Sequence, residues 1–327
     1  MAHNDNDLSQ WTSLWRRGYI TTFGPSMPDN YGLDVKAYWH KQFDKLDKGA
    51  VILDVAAGNG AIATIAAEYS DNRGKDFSIM AADAAEINFD LIKESKSLDA
   101  YRDKIKFYSE APCECLPFED SSVDLVCSQF GIEYSVLAES LLEVGRVLRD
   151  GGSFAAVMHH SMSSVIQEAT RECKILENIL YEQKVFEILE KFYAAVGEVK
   201  DEAALANARQ NKEAVASAME LDRVFGYLGG KYSQSPVMNR VRSEVDAMFR
   251  VQIYKSEEER KSLLRAVYDD LRMMAVRQND LQQAAISPLT MQQVKETAEA
   301  SGLRNFTYSE VKSPDGKKTG WLANAVK

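Results

Sequence analysis

The chain has 327 residues, 45% of them hydrophobic, with 39 Lys and Arg against 49 Asp and Glu for a net charge of −10. That length exceeds a typical domain of ~100–150 residues, and the acidic balance removes the general pull toward phosphate backbones that nucleic-acid binders supply. Four cysteines are too few for a disulfide framework, and no secretory apolar segment or bilayer-length apolar run is present, so the expectation is a cytoplasmic protein without nucleic-acid or membrane partners.

In chain order, residues 1–48 are rich in aromatics: Trp11, Trp15, Tyr19, Phe23, Tyr31, Tyr38 and Trp39. Breaks at Gly24-Pro25 and at 28–30 divide them into short helices and loops. Residues 49–160 alternate apolar runs with helical patterns, as a βα repeat requires. Strands are predicted at 51–55, 77–82, 104–108, 123–127 and 153–158, with helices at 60–69 and about 86–97. Leu137, Leu141, Val144 and Leu148 line one face of a further helix, which Gly151-Gly152 should stop at its C-cap.

Residues 161–285 show almost no strand signal and read as a helical insert of several antiparallel segments, covering substrate, mediating homodimerisation, or both. The α/β pattern resumes over 286–327, with a helix at 290–302, strands at 306–311 and 319–326, and a turn at 314–316. Two strands joined that tightly pair antiparallel. The predicted fold is therefore an α/β Rossmann-like, mostly parallel sheet with an antiparallel terminal hairpin and a large insert between strands five and six.

The chemistry centres on Asp54, Gly58, Asn59 and Gly60 at the end of the first strand. A glycine turn between strand and helix lets a ligand approach the backbone, and the helix N-terminus favours negative charge. Asp83, at the end of the second strand, can accept hydrogen bonds from both hydroxyls of a ribose. This much fits two cofactors, because residues 58–63 also satisfy the G-x-G-x-x-A dinucleotide fingerprint.

Three features separate them. Asp54 sits at the strand end, where it can orient the loop and hold the amino-acid end of a methionine-type ligand. Residues 115–126, with Leu116, Pro117, Phe118 and Asp124, resemble the (D)-A-E-x-L-P-F…F-D-x-V stretch of methyltransferases. Residues 143–152, with Glu143, Arg146 and Gly151-Gly152, resemble their E-x-x-R-V-L-x-P-G-G helix end. The chain thus resembles class I methyltransferases dependent on S-adenosylmethionine, of the ubiquinone/menaquinone-biosynthesis C-methyltransferase type, over 49–160 and less specifically 288–327.

That resemblance implies a seven-stranded sheet and a set of donor contacts. Asp54, Ala56, Gly58 and Gly60, with Asn59 in the same turn, would line the methionine part. Asp83 would hold the ribose, Ala84 would lie against adenine, and Gln129 and Phe130 would sit near the sulfonium. Two positions depart from the pattern: Ala56 replaces the first glycine, and Pro112 stands where an adenine-binding Asp is common, leaving that contact to the Cys113 backbone, Glu110 or Glu114.

Methyl transfer is an in-line displacement that depends mainly on geometry, with a base needed only where the acceptor loses a proton. His159 and His160, after strand five, are the candidate bases. Glu133, Tyr134, Tyr19, Phe23 and Tyr31 are candidate acceptor contacts, while Trp11, Trp15 and Trp39 read as packing. The four cysteines lack metal-ligand spacing, so no metal is expected. The expected activity is methylation of a small molecule on oxygen or nitrogen. The alternatives are a non-catalytic donor-binding regulatory or assembly protein, and an NAD(P)-dependent oxidoreductase.

Overall fold

A computed structural model describes residues 8–24, 27–88, 90, 92, 96–233, 235–250, 252–312 and 316–327. The chain divides into two compact units: one runs up to residue 167 and resumes at 280, and the other spans 168–279.

The first unit begins with α1 (Ser9–Trp15), α2 (Leu33–Phe43), β1 (Val51–Val55), α3 (Ala61–Arg73), β2 (Ser78–Ala82) and α4 (Lys96–Tyr101). It continues through β3 (Ile105–Tyr108), β4 (Val123–Gln129), α5 (Leu137–Val147) and β5 (Leu148–His159). Between β5 and the last strands run α6 (Ser164–Glu177), α7 (Val185–Val196), α8 (Glu202–Gln210), α9 (Lys212–Lys231), α10 (Pro236–Arg250) and α11 (Glu257–Ala284). The chain closes with α12 (Pro288–Ala300), β6 (Arg304–Lys312) and β7 (Lys318–Val326).

Seven strands form one sheet in the order β3-β2-β1-β4-β5-β7-β6. The first five are parallel, and β7 pairs antiparallel with both β5 and β6. β1 lies at the centre, where both faces are covered, and Ile52, Leu53 and Val55 are fully buried. One face packs Leu53, Val126 and Phe154 with residues of α5 and α12, and the other packs Ile52 and Leu125 with α2 and α3. α3 is buried nearly all round because alanines at 61, 63, 66 and 67 let it lie close on the sheet. The order reverses between β1 and β4, and in open α/β sheets ligands bind at such a switch point, beyond the carboxyl ends of the strands.

Two expectations are corrected. Residues 86–88 are not helical, and α4 begins only at Lys96. The amides of Glu86 and Ile87 are instead donated to Thr12 Oγ1 and Ser109 Oγ. Gly151-Gly152 does not cap α5, which ends at Val147 with an extended Leu148 paired to Val123. The glycines carry a bulge within β5, where the register jumps from Val123↔Leu148 to Leu125↔Ser153 and Gly151 adopts φ +82°. Residues 314–315 of the expected terminal turn lie outside the described residues.

The second unit is helical, with its own core of Leu176, Leu189, Val224, Leu228, Val241 and Leu271 among others. No helix among the described residues is long and apolar enough to cross a membrane.

Candidate active site

The chain leaves β1 through three left-handed residues, Ala56 (φ +50°), Gly58 (+53°) and Gly60 (+81°). Glycine adopts such angles without penalty, whereas Ala56 bears a strain of ~1–2 kcal/mol. Its surroundings hold it there: Gly131 approaches so closely that a Cβ on it would meet both the Cβ and the carbonyl of Ala56 at 2.7 Å. Ser128 ties the same corner together, donating to the Val55 carbonyl and accepting from the Ile132 amide.

Asp54 is sealed beneath this turn, only 1% exposed. It accepts the Ala63 amide at 3.1 Å and the Cys127 thiol at 3.9 Å. Burial pushes its carboxyl up to about 8, against the lowering effect of the Ala63 amide. Through the Ala63 amide the carboxyl braces the first turn of α3, in keeping with the expectation that it orients the loop.

Asp83 does face the turn. Its Oδ2 accepts the Gly58 amide at 2.7 Å and its Oδ1 accepts the Ala85 amide at 2.8 Å. Burial raises its carboxyl above the usual range while the two amides pull it down. Its backbone is pinned to β3 and the following loop through Tyr108 and Ala111. Ala84 and Pro112 are half-buried beside it. Cys113 is buried with its thiol pushed up, first by desolvation and then by Glu114 and Asp83, and it lies within reach of the Ala56 amide. Glu114, one of the expected adenine contacts, instead accepts the Val136 amide.

The N-terminal segment crosses this notch. Asn59 is fully buried and donates through Nδ2 to the carbonyls of Trp15 and Tyr19, while its Oδ1 has no partner among the described residues. The Trp15 indole lies on Gly58, closer than a side chain there would allow. Arg16 pairs with Glu86, and the Glu86 amide reaches Thr12. Trp39 is core as expected, Trp15 packs on the glycine turn, and Trp11 meets the Tyr134 ring edge-on at 5.1 Å. Nothing local in the sequence marks Trp15 for this place, since its partners lie more than 40 residues away.

On the β4–β5 side, Gln129 accepts the Trp39 indole N–H, so its side chain is committed to α2. Phe130, at φ +53°, sets its ring 4.4 Å from that of His159. Glu133, buried in the short turn after β4, accepts the His159 amide and lies 2.8 Å from His159 Nδ1. The two histidines diverge. His160 is buried, stacks on Trp321 at 4.5 Å, accepts the Met162 amide through Nδ1 and lies 3.4 Å from Glu310 through Nε2. Burial depresses its basicity, and its ring joins the end of β5 to Trp321 of β7, whereas His159 faces Glu133 and Phe130. Tyr31 and Tyr134 hold buried phenols beside Glu133, with Asp54 also near Tyr31 and Asp280 near Tyr134. Phe23 is exposed and touches Tyr31 edge-on, and Tyr19 packs under Gly24.

The two motif stretches prove to be one network. Glu143 accepts the Leu116 amide and an Arg146 N–H, and Arg146 donates to the carbonyls of Leu116 and Phe118 and to Asp120. The guanidinium thus clips the loop before β4 onto α5.

A model of the ubiE/COQ5 methyltransferase family matches residues 25–193, just over half of the chain. The chain belongs to the ubiE/COQ5 methyltransferase family. The ubiquinone/menaquinone biosynthesis C-methyltransferase UbiE of Geotalea uraniireducens is 35% identical over 106 residues, 32% of this chain and 43% of that protein. The UbiE of Rickettsia felis is 28% identical over 151 residues, 42% of this chain and 60% of the relative. The chain thus spans about half the length of the curated relatives it matches. Among solved structures, Haemonchus contortus phosphoethanolamine N-methyltransferase 2 in complex with S-adenosyl-L-methionine aligns with 100% of this chain and 60% of its own, at 13% identity and TM-score 0.40.

Proposed function

We propose that this chain binds S-adenosylmethionine in the notch between Gly58 and Asp83 and transfers its methyl group to a small molecule. The observation that carries this reading is the 2.7 Å bond from the Gly58 amide to Asp83, which joins a strand-tip carboxylate to the glycine turn at the switch point of the sheet. The donor set fits: Asp83 suits ribose hydroxyls, and the buried, unpartnered Asn59 Oδ1 is an acceptor awaiting an N–H or O–H. Gly58 and Gly60 would border the methionine portion, with Ala84 and Cys113 on the adenine side.

When bound, the donor supplies a methyl group on a sulfonium, a good leaving group. The residues of this chain then hold the acceptor in line and exclude water, a task that suits the aromatic wall of Trp11, Phe130 and Tyr134. Oxygen or nitrogen is the acceptor atom in the leading reading. Carbon is the second, favoured by the curated relatives that bear C-methyltransferase in their names.

Calorimetric titration with S-adenosylhomocysteine, run beside NAD and NADP, tests the donor site. Saturable binding of the homocysteine compound alone supports the reading. Binding of a dinucleotide in its place makes the chain an oxidoreductase, and binding without methylated product from any metabolite makes it a regulatory partner.

A further inference from the structure

Glu133 is an unusual carboxylate. Its side chain is fully buried, and no lysine or arginine among the described residues pairs with it. One oxygen, Oε1, takes both the backbone N–H and the ring Nδ1 of His159, each at 2.8 Å. The other, Oε2, is buried with no hydrogen-bond partner among the described residues. Leaving a buried acceptor unsatisfied costs ~1–3 kcal/mol, more when it is charged, so such an atom in a native fold calls for an explanation. A bound molecule with a hydrogen to donate is one.

The ring beside it is correspondingly defined. Where Glu133 accepts through Oε1, as it does from the His159 amide, the ring donates from Nδ1 and Nε2 keeps its lone pair. No protein partner is recorded for Nε2 among the described residues. Phe130 covers one side of the ring, tilted 32°, and Tyr134 stands edge-on at 6.0 Å. Both residues of the pair stand at the carboxyl ends of β4 and β5, beside the switch point.

We propose that Glu133 and His159 form a proton-accepting pair, and that the acceptor is a molecule whose reacting atom loses a proton as it gains the methyl group, with a second donor group that meets Glu133 Oε2. The inference rests on the methyl-transfer reading above. In the step, a lone pair on the acceptor forms the bond to the methyl carbon, and the carbon–sulfur pair stays with sulfur as a neutral thioether. The proton of the acceptor passes to His159 Nε2, and the resulting imidazolium is held against the Glu133 carboxylate. A hydroxyl or a neutral primary or secondary amine satisfies this balance, as does an activated ring carbon that attacks through a π pair; a thioether or a tertiary amine has no proton to yield.

The test uses the full chain labelled with 15N at histidine, where ring nitrogen shifts report which nitrogen carries the proton. His159 is assigned from the signals lost in His159→Gln. The expected result is neutral His159 protonated on Nδ1 in the wild type, shifting toward the Nε2–H form in Glu133→Ala. An Nε2–H tautomer in the wild type, or one indifferent to Glu133→Ala, overturns the proposal, because the nitrogen needed as base would be blocked or not set by Glu133. In parallel, transfer from labelled S-adenosylmethionine to phenol, catechol and ethanolamine is measured. Turnover that the wild type supports should fall ~10²–10⁴-fold in Glu133→Gln and His159→Asn, with S-adenosylhomocysteine affinity unchanged. Undiminished turnover in either variant overturns the pair. If none of the three is methylated, the tautomer decides. Absence of homocysteine-compound binding would instead count against the donor site alone.

Discussion

A Cβ built on Gly58 would stand 2.4 Å from Cζ2 of Trp15, so the indole rests directly on the backbone of the turn that is proposed to receive the donor. The same turn donates its Gly58 amide to Asp83 and holds the Trp15 carbonyl through Asn59. The chain's own N-terminal segment therefore lies over this turn, with the Trp15 ring and carbonyl both held against it.

This makes Trp15→Ala informative. If the indole must leave for the donor to enter, removing it abolishes the fraction of molecules that are blocked, and apparent affinity rises by that factor. Titration of Trp15→Ala with S-adenosylhomocysteine should show binding several-fold tighter than the wild type. Weaker binding would show that Trp15 is a wall of the occupied site rather than its plug.

Asp83→Ala removes a charged acceptor from both the Gly58 amide and the proposed ribose. Hydrogen bonds to charged groups contribute ~1.5–3 kcal/mol, so S-adenosylhomocysteine should bind ~10–100-fold more weakly by calorimetry. Affinity equal to wild type would place the sugar elsewhere.

Asp54 predicts a pH dependence of stability. Its carboxyl is raised from 3.8 to about 8 in the fold, by burial first and then by the charge of Asp83. A raised folded value means that the native state binds a proton which the unfolded chain has already released between those limits. The contribution is full below about pH 4 and is lost as pH climbs toward about 8. Melting temperatures measured from pH 5 to 8 should fall more steeply for the wild type than for Asp54→Asn, which has no proton to lose. Parallel slopes would remove Asp54 as their cause.

Arg146→Lys tests the clip between the two motif stretches. The guanidinium serves Glu143, Asp120 and the carbonyls of Leu116 and Phe118 at once, a spread that an ammonium cannot match. Because the side chain is about a third exposed, solvent screening discounts the loss to ~1 kcal/mol. The urea midpoint should shift down while donor affinity stays as in the wild type.

The sheet could be read in advance because its signals are local. Residues 51–55 are a short β-branched and apolar stretch interrupted only by Asp54, and the glycines at 58 and 60 that follow it mark a strand and turn rather than a helix. Asp83 ends the neighbouring strand at a spacing set by one βα unit, and the closing hairpin needs only a short link between two strands. The ending of α5 was misread because Gly151-Gly152 satisfies either a helix cap or a strand bulge, and only the pairing of Leu148 with Val123 distinguishes them.

Sequence alone thus determined the α/β order, the strand-turn-helix with its glycines, and the carboxylates at the strand tips, all features written within one or two turns of chain. Tertiary structure decided which of those carboxylates faces the glycine turn and which is sealed beneath it, that Trp15 lies on Gly58, and that Glu133 and His159 meet across 26 residues while His160 turns away to Trp321. Adjacent residues on a strand point to opposite faces, so His159 and His160 are chemically identical in the sequence and become distinct only when each face of the sheet acquires its neighbours.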